Sequence, residues 1–233
     1  MSNTPQTPPA EPEPKPRRPR AAQDQAIAND ITQIRTALTA AQNHADAKAM
    51  LTPRGYDDPA IAEGLAKCDA AQSGYNARQS ADADEAQARD TLSAADAATR
   101  DGFDGFRTIA RAVFKDDAAA LQALGATGRV PTDREGFITF ANAAYDTTLS
   151  RANYQSALSK RGYNPTALNT EKAKLSALTS ANATHDAASA ATTRATAQRD
   201  AAIQDLRKWW GEFRAVAQVA FKDRPDLASQ FGL

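Results

Sequence analysis

The chain has 233 residues with 28 Lys+Arg against 28 Asp+Glu, two His and one Cys. Balanced charge and a pI near 6.7 give no overall basic footprint for nucleic acid, one Cys cannot close an intramolecular disulfide, and Cys/His zinc sites fail on ligand count. No stretch approaches the roughly 20 consecutive apolar residues of a membrane-spanning helix, and the N-terminus lacks a signal peptide's apolar core, so the expected compartment is the cytoplasm.

Residues 1–21 hold seven of the twelve prolines and no large apolar residue beyond Met1. Such a segment cannot build a core and is expected to be a disordered, extended tail. Its charges are ordered, with Glu11 and Glu13 before Lys15, Arg17, Arg18 and Arg20. That order suits either a solvated tail or a peptide for a groove-type partner, with Arg17, Arg18 and Arg20 as candidate contacts.

Beyond the tail the composition favours helix: 54 Ala against seven Ile and four Val. Ala buries little area, which implies a thin core. The sequence also repeats with an ungapped period of 107 residues, since Arg54-Gly55-Tyr56 overlays Arg161-Gly162-Tyr163 and Phe106-Arg107 overlays Phe213-Arg214. The expected organisation is a tail at 1–21 and two helical hairpin repeats at 22–128 and 129–233.

Each hairpin begins with a short helix. In the first, Ile27, Ile31, Ile34, Leu38, Ala41 and Ala45 form a narrow apolar seam; in the second the seam is Ile138, Ala141, Tyr145, Thr148 and Ala152. Thr132 with Glu135 reads as a capping box for the second. Both short helices should stop at Arg-Gly-Tyr, with glycine in the left-handed conformation. Asp57 to Pro59, or Asn164 and Pro165, then start a long helix, over about 59–115 and 165–222. At 1.5 Å per residue the long arm measures roughly 85 Å against roughly 40 Å for the short one. The distal aromatic seams, Phe103, Phe106, Ile109, Val113 and Phe114 in one copy and Leu206, Trp210, Phe213, Val216 and Phe221 in the other, must therefore pack on the other copy or on another molecule. Gly102 and Gly105, aligned with the stretch around Gly211, mark a place where either helix could bend. Short turns over 118–125 and 225–232 close the copies. The expected fold is all-α: a tandem duplication of a helical hairpin forming an elongated four-helix bundle.

Few residues suggest chemistry. Cys68 overlays Leu175 and reads as a small core residue; His44 and His185 overlay Arg151 and Arg78 and read as surface histidines. Neither His has a Glu three positions before it, as di-iron bundles require, and phosphate-cradling and dinucleotide glycine loops are absent. No Ser-His-acid relay is suggested. No catalytic residue, metal or cofactor is expected. Arg107, Arg111 and Lys115 form a basic stripe, repeated in part by Arg214 and Lys222 and best read as ion pairs, with Asp104 and Asp116 flanking it. Trp209 and Trp210 are the only tryptophans; adjacent helix positions should point one into the seam and one away from it.

In composition the chain resembles helical scaffold and coat proteins as a class. The first functional expectation is a non-enzymatic structural protein that associates with itself, through Trp209, Trp210, Phe213, Phe221, Phe103 and Phe106, into a larger assembly such as a filament. The alternatives are an adaptor that captures a protein partner through the Pro-rich tail, and a bundle that holds a lipid or other apolar ligand. No specific nucleic acid and no membrane span is expected.

Overall fold

The computed structural model describes residues 20–232, with side chains from residue 22. Among these residues there are eight α-helices, one 3-10 turn and no strand: α1 (Arg20–Asn43), α2 (Ala45–Leu51), the 3-10 turn Thr52–Arg54, α3 (Asp58–Val113), α4 (Ala118–Ala123), α5 (Arg134–Ser150), α6 (Ala152–Ser159), α7 (Pro165–Ala220) and α8 (Pro225–Gln230). The fold is all-α, a bundle of packed helices, and no described helix is long and apolar enough to cross a membrane.

The long helices start where the sequence supplies acceptors for orphan amides. Asp57 Oδ1 accepts from the Ala60 amide at 3.1 Å, and Asn164 Oδ1 accepts from Ala167 at 2.9 Å. Just upstream, Gly55 and Gly162 adopt φ of 86° and 97°. The Tyr56 and Tyr163 amides donate back to the Leu51 and Leu158 carbonyls at 3.3 and 3.1 Å, closing the left-handed stop that the sequence predicts. The box expected at Thr132 is displaced by one residue. Asp133 is the cap of α5 and accepts from the Gly136 amide at 2.7 Å, because a carboxylate in the extended cap conformation outcompetes the neighbouring hydroxyl for that amide.

The short arm is not one helix. His44 (φ −95°, ψ 111°) separates α1 from α2, and Arg151 (φ −111°, ψ 108°) separates α5 from α6. The expected seams therefore fail at their ends: Ala45 and Ala152 are exposed, while Ala47 and Leu51, or Tyr154 and Leu158, carry the core onward. The long helices, by contrast, run through Gly102, Gly105 and Gly211 without interruption. At Gly102 a Cβ would strike the Glu171 carboxylate, and at Gly64 it would enter the Trp209 indole. Glycine here lets α7 side chains approach the α3 backbone.

The chain divides into two compact units, each fed by both long helices. The first comprises the described residues 20–75 and 198–232. Its core joins Ile31, Ile34 and Leu38 of α1 and Leu51 of α2 to Ile61 and Cys68 of α3 and to Leu206, Phe213 and Phe221 of α7, with Leu227 and Phe231 beneath. The second unit comprises residues 76–197. There Phe103 and Phe106 of α3 meet Phe137, Ala141 and Tyr145 of α5, Tyr154 and Leu158 of α6, and Leu168, Leu175 and Leu178 of α7. Within each unit the distal part of one long helix is thus covered by the short arm and the opening turns of the other. Ring packing supplies what Ala cannot: Phe103 meets Phe137, Phe140 and Tyr145 edge-to-face at 5.7 to 5.8 Å.

Candidate functional site

In the second unit the connection 124–133 between α4 and α5 is held by three arginines of α3. Arg107 donates from Nε to the Gly125 carbonyl at 2.8 Å and from Nη2 to Gly128 at 2.9 Å. Arg111 Nε donates to the Ala126 carbonyl at 2.7 Å. Arg100 reaches the Pro131 and Thr132 carbonyls at 3.3 and 3.1 Å while its guanidinium covers the Phe137 ring at 4.3 Å. A planar donor fork on every turn or two of a helix can take the carbonyls of an extended segment one after another. Of the basic stripe, Arg107 and Arg111 donate to backbone carbonyls, with Asp104 3.9 Å from Arg107, while Lys115 pairs with the flanking Asp116 at 3.8 Å as the sequence suggests. Burial, with Arg111 beside it, pulls the Arg107 guanidinium below the usual arginine range.

In the first unit the residues 107 positions later are Arg207 for Arg100 and Arg214 for Arg107. Arg214 Nη2 donates to the Gly232 carbonyl at 3.2 Å, as Arg107 does to Gly125, the residue 107 positions before Gly232. Among the described residues no extended segment lies over these two arginines. Gly232 is the last described residue, and residues 127–133 ahead of α5 are non-helical where the corresponding stretch, 20–26, is the opening of α1. Arg207 pairs with Asp30, which stands where the second unit has Phe137. The Arg207 side chain is 54% exposed against 29% for Arg100.

These arginines line a groove of about 660 Å³ between α1, α7 and α8, with Asp30, Ile34, Ala37, Trp210, Phe231 and Gly232 as further walls. A second hollow of about 490 Å³ shares Arg207 and continues along α1 and α7 past Ile27, Asp200 and Ile203. The track is amphipathic. It offers an indole, two guanidiniums, the Lys208 ammonium and the carboxylates of Asp30 and Asp200 along about four turns of α7.

The sequence-predicted contact residues fall in three groups. Phe103, Phe106, Phe213 and Phe221 are at most 1% exposed and belong to the cores. Trp209 and Trp210 are both half-buried, and both stack on Phe213, at 5.5 and 5.2 Å. Neither points alone into solvent as expected, since the Phe213 ring is wide enough to carry both indoles, and only Trp210 lines the groove. Arg17 and Arg18 lie outside the described residues; Arg20 opens α1, and its side chain lies outside them. Sequence reading passed over Arg207 and took Arg214 for part of an ion-paired stripe. The signal that could have found them was their spacing of seven, matched by Arg100 and Arg107.

Other candidates are structural. Cys68 is fully buried, and burial pushes its thiol up. His44 is half-buried at the break between α1 and α2, not on an open surface, because the arm turns at that residue. No group of three His, Cys, Asp or Glu able to hold a metal occurs among the described residues. No family model, no curated protein and no solved structure matches this chain.

Proposed function

We propose that the protein is a non-enzymatic helical scaffold of the adaptor kind, whose groove in the first unit takes an extended, proline-containing segment. The observation that carries this reading is the arginine clamp on residues 126–132 in the second unit, together with Arg207 and Arg214 at the same spacing along the groove. One arrangement thus supplies a template for the other's ligand: a non-helical, proline-containing backbone whose carbonyls accept from the two guanidiniums. Trp210 takes the place that Phe103 has in the second unit.

The reading assumes a tandem hairpin duplication, 22–128 and 129–233. It is supported by helix bounds, cap residues, left-handed glycines and arginine–carbonyl pairs that recur 107 residues apart. Self-association, the function the sequence favours first, requires that the segment entering this groove come from another copy; the four core phenylalanines are buried inside their own units. The reading as an apolar-ligand carrier has less support, because Asp30, Arg207 and Arg214 stand among the groove walls.

The test uses the chain beginning at Arg20 and a labelled peptide copying residues 126–132, beside other short proline-containing peptides, followed by fluorescence anisotropy. Saturable binding with Kd on the order of 10–100 µM, abolished by Arg207→Ala with Arg214→Ala, supports the function. Unchanged anisotropy up to millimolar protein for every peptide refutes it.

A further inference from the structure

We infer that the occupant of the groove is the chain's own Pro-rich N-terminal segment, residues 5–16, folded back along α1. This rests on the reading that the groove takes an extended proline-containing segment, and it adds which segment.

Three arguments converge. The first is composition: residues 5–16 contain six prolines, and such a segment favours the polyproline helix, whose low conformational entropy suits an aromatic-walled groove. The second is reach. α1 begins at Arg20 and supplies Asp30, Ile34 and Ala37 to the groove; at 1.5 Å per residue Asp30 lies about 15 Å and Ala37 about 25 Å from Arg20. A polyproline segment returning from Arg20 at about 3.1 Å per residue brings Lys15 to about 15 Å, Glu13 to about 22 Å and Glu11 to about 28 Å.

The third is charge in that register. α1 and the distal part of α7 run side by side in the same direction, since Asp24 pairs with Arg199 and Asp30 with Arg207, and Ala37 and Arg214 both line the groove. Glu11 and Glu13 thereby bracket Arg214. Lys15 comes level with the Asp30–Arg207 pair, and Arg17 and Arg18 come level with Asp200, which Arg199 already pairs, in a hollow that Arg207 and Lys208 also line. The favourable charge contact in this register is that of Glu11 and Glu13 with Arg214, which favours this direction of docking.

The experiment compares the full chain with the chain beginning at Arg20, which retains every residue of both cores. A labelled peptide copying residues 1–19 is titrated against each, with circular dichroism confirming equal helicity. The truncated chain is expected to bind the peptide. The full chain should bind it about tenfold more weakly, because a tethered segment at roughly millimolar effective concentration competes with it. A peptide carrying Glu11→Lys and Glu13→Lys should lose up to about tenfold. The block in the full chain should persist on hundredfold dilution; a block that fades on dilution assigns the groove to a second copy's segment and overturns docking within one molecule. Equal binding by both chains, or a truncated chain that binds the 126–132 peptide but ignores 1–19, overturns this inference and leaves the groove's function standing. A truncated chain that binds neither peptide removes both.

Discussion

Replacing Arg107 by Ala and, separately, Arg214 by Ala should have unequal consequences although the two stand 107 residues apart on matching helices. Arg107 is 7% exposed and holds two carbonyls of the α4–α5 connection. A hydrogen bond from a charged donor contributes about 1.5–3 kcal/mol, and the carbonyl of buried Gly125, unlike that of exposed Gly128, would be left without water, so about 2–4 kcal/mol should be lost. Arg214 is exposed and holds one carbonyl, at 3.2 Å; its removal should cost about 1 kcal/mol or less. Denaturant unfolding separates the units. Both tryptophans lie in the first, so indole emission reports it, while hydrogen exchange of α5 and α6 amides reports the second. Arg107→Ala should open α5 and α6 early and leave the indole transition nearly in place. Equal costs, within about 0.5 kcal/mol, would refute the contrast between a clamp spent on structure and one free for a ligand.

Gly64→Ala should destabilise the first unit by about 1–3 kcal/mol, because the rigid Trp209 ring must move; this outweighs the gain of up to about 1 kcal/mol in helix propensity. Gly102→Ala meets only the end of the flexible Glu171 side chain and should stay within about 1 kcal/mol of the parent in thermal melts. The Tyr145 hydroxyl is buried with no hydrogen-bond partner among the described residues, so Tyr145→Phe should be neutral or stabilising by up to about 1 kcal/mol. A hydrogen bond from Arg224 holds the Asp226 carboxyl down at about 2, from an ordinary 3.8. Its contribution to anchoring α8 is complete above pH 3.8 and is lost as pH falls through about 2. A carboxyl-carbon NMR titration of Asp226 checks the midpoint, and Asp226→Asn should flatten the response of α8.

Much of the fold is legible in local chemistry. Cap residues and left-handed glycines fix where α3 and α7 begin, and their physics is confined to a few neighbouring residues. The break at His44 carries neither glycine nor proline, yet the pattern holds a trace of it. Leu38 and Leu51 are thirteen residues apart, as are Tyr145 and Leu158, and on an unbroken helix that spacing places the second side chain about 140° away from the first. Both pairs are buried, so the arm must change phase between them.

The bend anticipated at Gly102 and Gly211 reads glycine as weakness. At Gly102 the residue is small because a side chain of α7 passes close by, a tertiary fact with no periodic signature. The clamp was hidden for a similar reason. Arginines with acids three or four positions away look ion-paired from sequence, whereas Arg107 and Arg111 find their acceptors some fifteen to twenty residues downstream. Trp210 was legible as unusual, and only the placement of α8 beside it makes a groove.

The most direct test of the groove uses 5-fluorotryptophan in the chain beginning at Arg20, where Trp209 and Trp210 give two fluorine resonances. Titration with a proline-containing peptide copying residues 1–19 should move the Trp210 line progressively and leave the Trp209 line, seated over Gly64, almost fixed. Two unmoved lines at millimolar peptide, or a shift confined to Trp209, would contradict a binding groove at Arg207, Trp210 and Arg214.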